Sequence, residues 1–546
     1  MKRLTDWARQ QKSQGRFKHA FHVYSLWKQT ERNIHVWWSR DATRVIYTWV
    51  VALRPNWANG HSSLGKSYKQ RYEFLTTRVP WDEKELVAIG NRAVGHFRKA
   101  LEVNAKRLDI YVPFFSLLYI MGRTTEASTV LQQFDDVKHS LTEACQEDRL
   151  AIRFVPAVIT GSIGLLGNLD YYIKAGFLGW RPPDKIIMLV PDDKPVSNPC
   201  FLDYWRKYIT VISDPKSIKT LSPMAQRLED PIHWALTLNG QALFVSAANT
   251  LVQKQWDSED RRPLLTTLSD SDYERGIQCL ENLGVPQDSW FVCLHVREPG
   301  YKDQSLKTDS YRNADIETYL PAIKTVVAHG GWVIRLGNPT MKPLPQMDHV
   351  IDYAHSDVRS DWMDVFLGSQ SRFIIGTASG PNPISIAFGV PMVLTNYLPW
   401  NLLHFSNKDL FLPRLFWSPK EKRHLTFTEI LSSKVAAGIE QSSYDRLGVD
   451  ILQNSPEEIN DIVLEMILRL NGTVTYSSSD KQLQERFRSL TAACGTFLGR
   501  HDLTINCRIG KDFLRKYEAL LDTAEDPEIG KSNLLDDYGE RTVSPV

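Results

Sequence analysis

The chain has 546 residues, of which 42% are hydrophobic and 23% are charged, and its formal net charge is +2. This length predicts several domains, each with a substantial core. The small net charge gives no electrostatic case for nucleic-acid binding. The sequence has no apolar run long enough to span a membrane, and its first residues lack the apolar segment of a signal peptide.

The six cysteines are scattered along the chain without CxxC or zinc-ligand spacing. This pattern is typical of reduced thiols in the cytoplasm and predicts no structural metal site. We therefore predict a cytoplasmic protein. Peripheral contact with the inner face of the membrane stays open, because a neutral average charge can conceal a local basic patch.

Residues 1–148 carry the pattern of paired helices. Ala93 and Phe97 fall on one face of a helix, and Ala127 follows Ala93 after 34 residues, which is the period of tetratricopeptide repeats. A related glycine-to-alanine spacing begins at Gly15. Because extra residues interrupt the repeat, we predict a degenerate, tetratricopeptide-like helical domain. An ordinary helical bundle is the alternative.

From residue 151 the pattern changes to alternating strands and helices, which indicates an α/β fold. A strand at 153–160 leads into a glycine-rich turn with Gly161, Gly164 and Gly167, followed by a helix and a second strand. The spacing is not the GxGxxG fingerprint of dinucleotide-binding proteins. Two interpretations are open: the glycines permit a tight turn, or their backbone N–H groups face a ligand phosphate or sugar.

A second α/β unit begins with the strand at 291–296, and four further short strands with helices between them predict a doubly wound parallel sheet. Two such units in tandem predict a pair of Rossmann-type domains with a ligand cleft. The predicted boundaries are a helical domain at 1–148, a first Rossmann-like domain at 149–288, a second at 289–475 and a C-terminal helical extension at 476–546.

Polar residues follow the first and fourth strands of this second unit. Open parallel sheets bind ligands beyond the carboxyl ends of their strands, where the strand order reverses, and these two strands are neighbours there in the usual order. The first strand ends in His295, Arg297 and Glu298, and the fourth runs into a loop with Ser379 and Gly380. A guanidinium suits a diphosphate, and the loop offers a hydroxyl and backbone donors where a helix begins.

Other polar or glycine positions lie on the same predicted rim. Arg335 and Gly337 end the second strand, Thr377 opens the loop after the fourth, and Arg312 precedes a helix. The predicted donor-binding set is His295, Arg297, Arg312, Arg335, Gly337, Thr377, Ser379 and Gly380.

The motifs LHVREPGY, YRNADIETYLPAI, GGWVIRLGNP and FIIGTASGPNPISIAFGVPMVLTNYLPW together resemble a family of bacterial glycosyltransferases that often carry tetratricopeptide-like segments. The likeness covers residues 150–515. The His-Val-Arg element is similar to the His-x-Arg of fucosyltransferase-type enzymes, whose arginine contacts the donor diphosphate. The loop at 376–383 resembles the donor loop of heptosyltransferase-like enzymes of GT-B fold. Glu298 and Ala378 depart from these two patterns, so the identity of the donor does not carry over.

The resemblance implies a metal-independent GT-B glycosyltransferase, with the domain at 149–288 on the acceptor side and the domain at 289–475 binding the donor. Its substrates would be a nucleotide sugar and a glycan, lipid-linked or protein acceptor, as in polysaccharide biosynthesis. No cofactor and no metal are expected, because the sequence has no isolated DxD between apolar strands and Asp192-Asp193 reads as a turn.

An inverting transfer also needs a base that removes the proton of the acceptor hydroxyl, and the candidates are Glu298, His295 and Asp170. The helical domain would recruit the acceptor or a partner protein. Two alternatives stay open. One is a non-catalytic scaffold whose α/β part binds a nucleotide or sugar, and the other is a sugar-nucleotide epimerase on the same fold.

Overall fold

The computed structural model describes residues 44, 47–48, 50–76, 83–299, 307–398, 406–431, 444–445, 447–493 and 506–521. The spacing predicted from Gly15 lies outside these residues. The chain divides into two compact units, Met1–Leu150 with Gln226–Leu228, and Ala151–Ala225 with Glu229–Val546. The finer domain boundaries at 288 and 475 stay predictions.

The described part of the first unit is helical. Helices α1 to α4 span Ala58–Thr76, Glu83–Val103, Leu108–Ile120 and Thr124–Ala144. Helix α1 packs against α2, and α3 packs against α4. Ala93, Phe97 and Ala127 have no exposed surface, which confirms the predicted buried face. The tetratricopeptide-like arrangement stays a prediction.

A three-stranded parallel sheet opens the second unit. Its strands β1 to β3 are Ile152–Val155, Lys185–Leu189 and Ile209–Ile212, and they pair in sequential order. Parallel neighbours require a crossover. The crossovers contain α5 to α7, at Ile163–Leu166, Asn168–Phe177 and Pro199–Trp205, and α8 at Pro215–Leu228 follows β3.

The named strands of this first sheet add in one direction. After α8 the chain returns to the other edge of β1, where Glu229 forms an isolated parallel bridge with Phe154, as the reversal of a doubly wound sheet requires. After β3 the chain forms an antiparallel hairpin. Asn239 and Gly240 both have positive φ, as the tight turn of a hairpin requires. The hairpin strands and the helices that follow are β4 Ala235–Leu238, β5 Gln241–Phe244, α9 Val245–Ser258 and α10 Asp270–Asn282.

A seven-stranded parallel sheet forms the centre of the remaining chain, in the order β15-β11-β10-β9-β6-β7-β8. The strands from β6 to β15 are Phe291–His295, Trp332–Arg335, Val350–Ile351, Ile374–Gly376, Met392–Tyr397, Leu410–Pro413, Leu415–Ser418, Arg423–His424, Asp450–Leu452 and Arg508–Ile509. Every residue of β6 and β10 is buried, as in a sheet covered on both faces. The order reverses between β6 and β9, which confirms that the first and fourth strands are neighbours.

Helices cover this larger sheet. They are α11 Leu320–Ala328, α12 Asp361–Gln370, α13 Asn382–Phe388, α14 Phe427–Leu431, α15 Pro456–Leu470, α16 Ser478–Ala493 and α17 Lys511–Lys516. A capping box of Ser455 and Glu458 starts α15, since each side chain bonds to the backbone N–H of the other residue. Across the described ranges, no helix is both long and apolar enough to cross a membrane.

A buried polar network closes the carboxyl end of β10, where the register with β11 shifts. Asn396 has a left-handed φ of 50°, and its backbone N–H donates to Oδ1 of Asn454 at 2.5 Å. Asn454 donates in return from its backbone to Oδ1 of Asn396 at 2.8 Å, and from Nδ2 to the carbonyl of Pro413 at 3.1 Å. Nδ2 of Asn396 donates to the hydroxyl of Tyr319 at 3.1 Å. Side chains thus replace the strand bonds that the bulge removes.

We expect Asn454→Ala to lower the free energy of unfolding by about 2–4 kcal/mol, because it leaves the buried N–H of Asn396 and the carbonyl of Pro413 without partners. Urea denaturation measures the change. Asn104→Ala is the control, since its side chain accepts a bond only from the exposed amide of Lys106. Equal stability of the two variants would contradict the assignment.

Candidate functional site

The loops that follow β6 and β9 are bonded to each other at the reversal of strand order. His295 pairs with Gly376 in the ladder. The backbone N–H of Thr377 donates to the carbonyl of His295 at 3.2 Å, and the backbone N–H of Arg297 donates to Oγ1 of Thr377 at 3.1 Å. The structure therefore brings the Arg297 segment and the Ser379 loop together, as the strand ends predicted.

The RNAD segment fixes the guanidinium of Arg297. Nε of Arg297 donates to Oδ1 of Asn313 at 3.2 Å, and the backbone N–H of Ala314 donates to the carbonyl of Arg297 at 2.9 Å. Arg414, which follows β11, donates to the carbonyl of Asn313, and burial lowers the pKa of Arg414 to about 10. Sequence reasoning missed Arg414, although an arginine directly after an apolar strand is the same signal that selected Arg297.

The loop from 378 to 381 connects β9 to α13 and is half-buried. Nδ2 of Asn382 donates to the carbonyl of Thr377 at 2.9 Å and closes the loop. Helix α13 begins two residues after Gly380 and has only seven residues. The groups that this loop offers are therefore the hydroxyl of Ser379 and loop amides, and the predicted contribution of a helix start is small.

Arg335 and Glu298 form a buried ion pair, so their predicted roles as donor ligand and base need correction. Arg335 is fully buried and donates to Oε2 of Glu298 at 2.8 Å and to Oδ1 of Asp352 at 3.0 Å. Oε2 of Glu298 also accepts from the backbone of Lys342 at 3.2 Å. Burial raises the pKa of Glu298. Both charges are neutralised inside the protein, and neither is presented to a ligand.

His295 is a buried, neutral imidazole next to these charges. Only 6% of the residue is exposed, and Nδ1 has no hydrogen-bond partner within the described part of the protein. Burial, together with the positive charges of Arg335 and Arg297, lowers the pKa of His295 to about 4. The side chain can therefore accept a proton or a hydrogen bond from a group that enters the site.

Asp170 lies in helix α6 and is 1% exposed, which does not fit its predicted role as a base. Its Oδ2 is 2.5 Å from Nζ of Lys174, one helical turn later, and Lys174 also donates to Gln253 at 3.1 Å. Burial raises the pKa of Asp170. The pair holds α6 against α9 in the interior.

Gly337 and Arg312 have visible structural roles. Gly337 has φ of 151°, and a Cβ there would lie 2.3 Å from Sδ of Met341, so the turn after β7 requires glycine. The guanidinium of Arg312 lies 5.7 Å from the centre of the Tyr311 ring. Arg312 is half-buried beside the Arg297 segment, and its role in donor binding stays a prediction.

The three glycines after β1 differ in what they contact. Gly161 and Gly164 are exposed. A Cβ on Gly167 would lie 2.4 Å from Cβ of Pro383, so this glycine permits close packing of the first loop against α13. A Cβ on Gly164 would lie 4.0 Å from Cα of Gly380. The glycine-rich turn thus lies against the loop predicted to bind the donor.

Asp192 and Asp193 occupy a turn, as expected, in which the N–H of Lys194 donates to the carbonyl of Pro191 at 3.0 Å. In the part of the chain that the structure describes, no three His, Cys, Asp or Glu side chains converge on a point where a metal ion could bind. Metal independence of the reaction stays a prediction.

No family model matches the chain, and no curated protein matches it. Among solved structures, it is similar to the glycosyl transferase family 9 protein from Veillonella parvula DSM 2008, with a TM-score of 0.31, 10% identity, and coverage of 48% of this chain and 85% of that chain. It is also similar to the iron-containing dodecameric glycosyltransferase TibC from enterotoxigenic E. coli H10407, with a TM-score of 0.27, 14% identity, and coverage of 46% and 60%. Likenesses of this size carry no argument about fold or activity.

We expect Arg335→Met to lower the free energy of unfolding by about 3–5 kcal/mol, because the buried carboxylate of Glu298 and the half-buried carboxylate of Asp352 would lose the cation that they share. Urea denaturation tests this. The control is Arg206→Met, whose exposed pair with Asp203 should contribute no more than about 1 kcal/mol. A stable Arg335→Met variant with weaker nucleotide binding would restore Arg335 to the ligand site.

The low pKa of His295 makes stability depend on pH. The unfolded chain binds a proton at His295 below its ordinary pKa of 6.5, whereas the folded chain binds it only near pH 4, so stability falls as the pH drops from 6.5 to 4. Between pH 6.5 and pH 4, we expect the free energy of unfolding of His295→Gln to fall by up to about 3 kcal/mol less than that of the wild type. Denaturation at several pH values gives the difference, with exposed His139→Gln as control. Identical slopes would contradict the low pKa.

Proposed function

We propose that this protein is a glycosyltransferase that takes a sugar from a nucleotide-sugar donor without a metal ion. The observation that carries the proposal is the position of Arg297, whose backbone is bonded to Thr377 and whose guanidinium is bonded to Asn313 at the reversal of strand order. Open parallel sheets bind nucleotides at this point. The sequence motifs that resemble bacterial glycosyltransferases meet at the same edge.

In the proposed reaction, the acceptor hydroxyl oxygen attacks the anomeric carbon of the sugar, and the bond from that carbon to the diphosphate oxygen breaks. The leaving nucleoside diphosphate keeps the electron pair. Arg297 and the hydroxyl of Ser379 would stabilise its negative charge, as fixed cations and donors do without a metal.

His295 is the base that we propose for an inverting transfer, because Glu298 and Asp170 are held in buried ion pairs. Burial and, to a smaller extent, the cations of Arg335 and Arg297 lower the pKa of His295 in the unliganded protein. A bound diphosphate would offset these positive charges and raise that pKa. His295 would then accept the proton of the acceptor hydroxyl more readily.

The proposed architecture is GT-B-like, with the donor in the part at 289–475 and the acceptor on the side of the part at 149–288. The helical unit would recruit a glycan, lipid-linked or protein acceptor, or a partner protein, in the cytoplasm. This assignment rests on the sequence motifs and on the edge of the larger sheet.

The first experiment is a thermal-shift screen against the glucose or mannose conjugates of UDP, GDP, ADP and dTDP and against a CMP sugar, with and without EDTA. A ligand that binds only the folded protein raises its melting temperature. We expect one nucleotide class to give a shift that EDTA does not abolish. Acceptor-dependent turnover then supports a transferase, turnover without acceptor supports an epimerase, and binding without turnover supports a scaffold.

We expect Arg297→Met to lower kcat about 100-fold, which corresponds to about 3 kcal/mol of lost transition-state stabilisation. It should also weaken binding of the nucleoside diphosphate. Steady-state kinetics and calorimetry measure the two effects, and Arg206→Met serves as the surface control. Unchanged binding and turnover in a folded Arg297→Met protein would remove Arg297 from the site.

A further inference from the structure

Two glycines near the candidate site are not required by the fold. A Cβ built on Gly161 or on Gly380 would meet no atom of the described residues within 4 Å, and neither residue has a left-handed φ. Gly167 and Gly337, in contrast, are needed for packing or for the turn. Glycine where alanine would fit lowers stability, because it makes the unfolded chain more flexible. The folded chain therefore gives no reason for Gly161 and Gly380.

The loops that carry these two glycines lie against each other. The Cβ position of Gly164 is 4.0 Å from Cα of Gly380, and Gly167 packs on Pro383, so the loop at 161–164 faces the loop at 379–380. Among the described residues, no side chain comes closer to the Cβ position of Gly161, Gly164 or Gly380 than Oγ of Ser162, at 3.8 Å from that of Gly164. We name these three residues the glycine face. It lets a ligand approach the backbone of both loops.

The loop that carries Gly161 and Gly164 is uncharged. Residues 157–169 contain no Asp, Glu, Lys, Arg or His. Gly161 ends the 3₁₀ helix Ala157–Gly161, in which side chains three residues apart lie on the same side, so Val158 lies beside the open position of Gly161. Val158 is 46% exposed. Backbone polar groups next to one apolar side chain suit a sugar ring, which has hydroxyls and an apolar face.

We propose that the glycine face binds the sugar ring of the donor, and that this ring is neutral. The diphosphate would lie at Arg297, on the other side of the Ser379 loop. An acidic sugar would meet no cation on the loop at 157–169, and its carboxylate would be desolvated without compensation. This inference rests on the proposed function and adds the class of sugar and the residues that contact it.

The test compares a nucleotide sugar with its own nucleoside diphosphate. Using the nucleotide selected in the screen, calorimetry should show that Gly161→Leu weakens binding of the nucleotide sugar at least tenfold and leaves binding of the diphosphate unchanged. Gly161→Ala should give a smaller effect in the same direction. The control is Gly95→Leu in α2, an exposed glycine whose Cβ would also meet no atom within 4 Å, and we expect it to bind both ligands like the wild type.

The outcomes separate the inference from the proposed function. If Gly161→Leu binds the nucleotide sugar like the wild type, or loses the diphosphate equally, the glycine face does not bind the sugar. For one nucleotide, the glucose conjugate should bind at least tenfold more tightly than the glucuronic acid conjugate, and the reverse preference would overturn the neutral class. Loss of both ligands in Arg297→Met supports the proposed function alone. A wild-type protein that binds no nucleotide would remove the function and the inference together.

Discussion

The bond from the backbone N–H of Arg297 to Oγ1 of Thr377 is the interaction on which the candidate site depends. It joins the loops after β6 and β9, the neighbouring strands between which the strand order of the larger sheet reverses. The two loops must part there because their helices cover opposite faces, which leaves a crevice above the strand ends. The bond holds the starts of the two loops together, and Asn313 then fixes the direction of the guanidinium.

Buried ion pairs decide which of the polar groups at this edge can react. Arg335 has no exposed surface and forms ion pairs with the carboxylates of Glu298 and Asp352. Its positive charge is therefore largely cancelled, as a stable buried charge requires. Its remaining effect on the crevice is through His295, whose pKa it helps to lower. A neutral imidazole beside positive charges is suited to an anionic ligand, because the negative charge of the bound ligand raises the pKa of the imidazole.

The larger sheet could be predicted from sequence, because its strands are short apolar runs and the order follows from the handedness of their crossovers. The first sheet was less readable, since the return of the chain to the other edge of β1 is a single parallel bridge at Glu229, and a hairpin with a turn at Asn239 and Gly240 then follows. The pairing of Glu298 was also hidden: a carboxylate at a strand end looks the same whether it faces solvent or an arginine 37 residues away. The pair of Asp170 and Lys174 was readable, because residues four apart share a helix face.

The three glycines after β1 show what the structure adds to sequence spacing. Gly161, Gly164 and Gly167 form one motif in the sequence, yet a Cβ would meet open space at the first, ordinary contact at the second and a clash at the third. The same motif therefore serves packing at one end and leaves the backbone open at the other. Because packing at Gly167 holds the turn against α13, Gly164 is held beside Gly380. A surface that contacts a ligand through its backbone needs such a fixed support, since loop motion would otherwise cancel the gain in close contact.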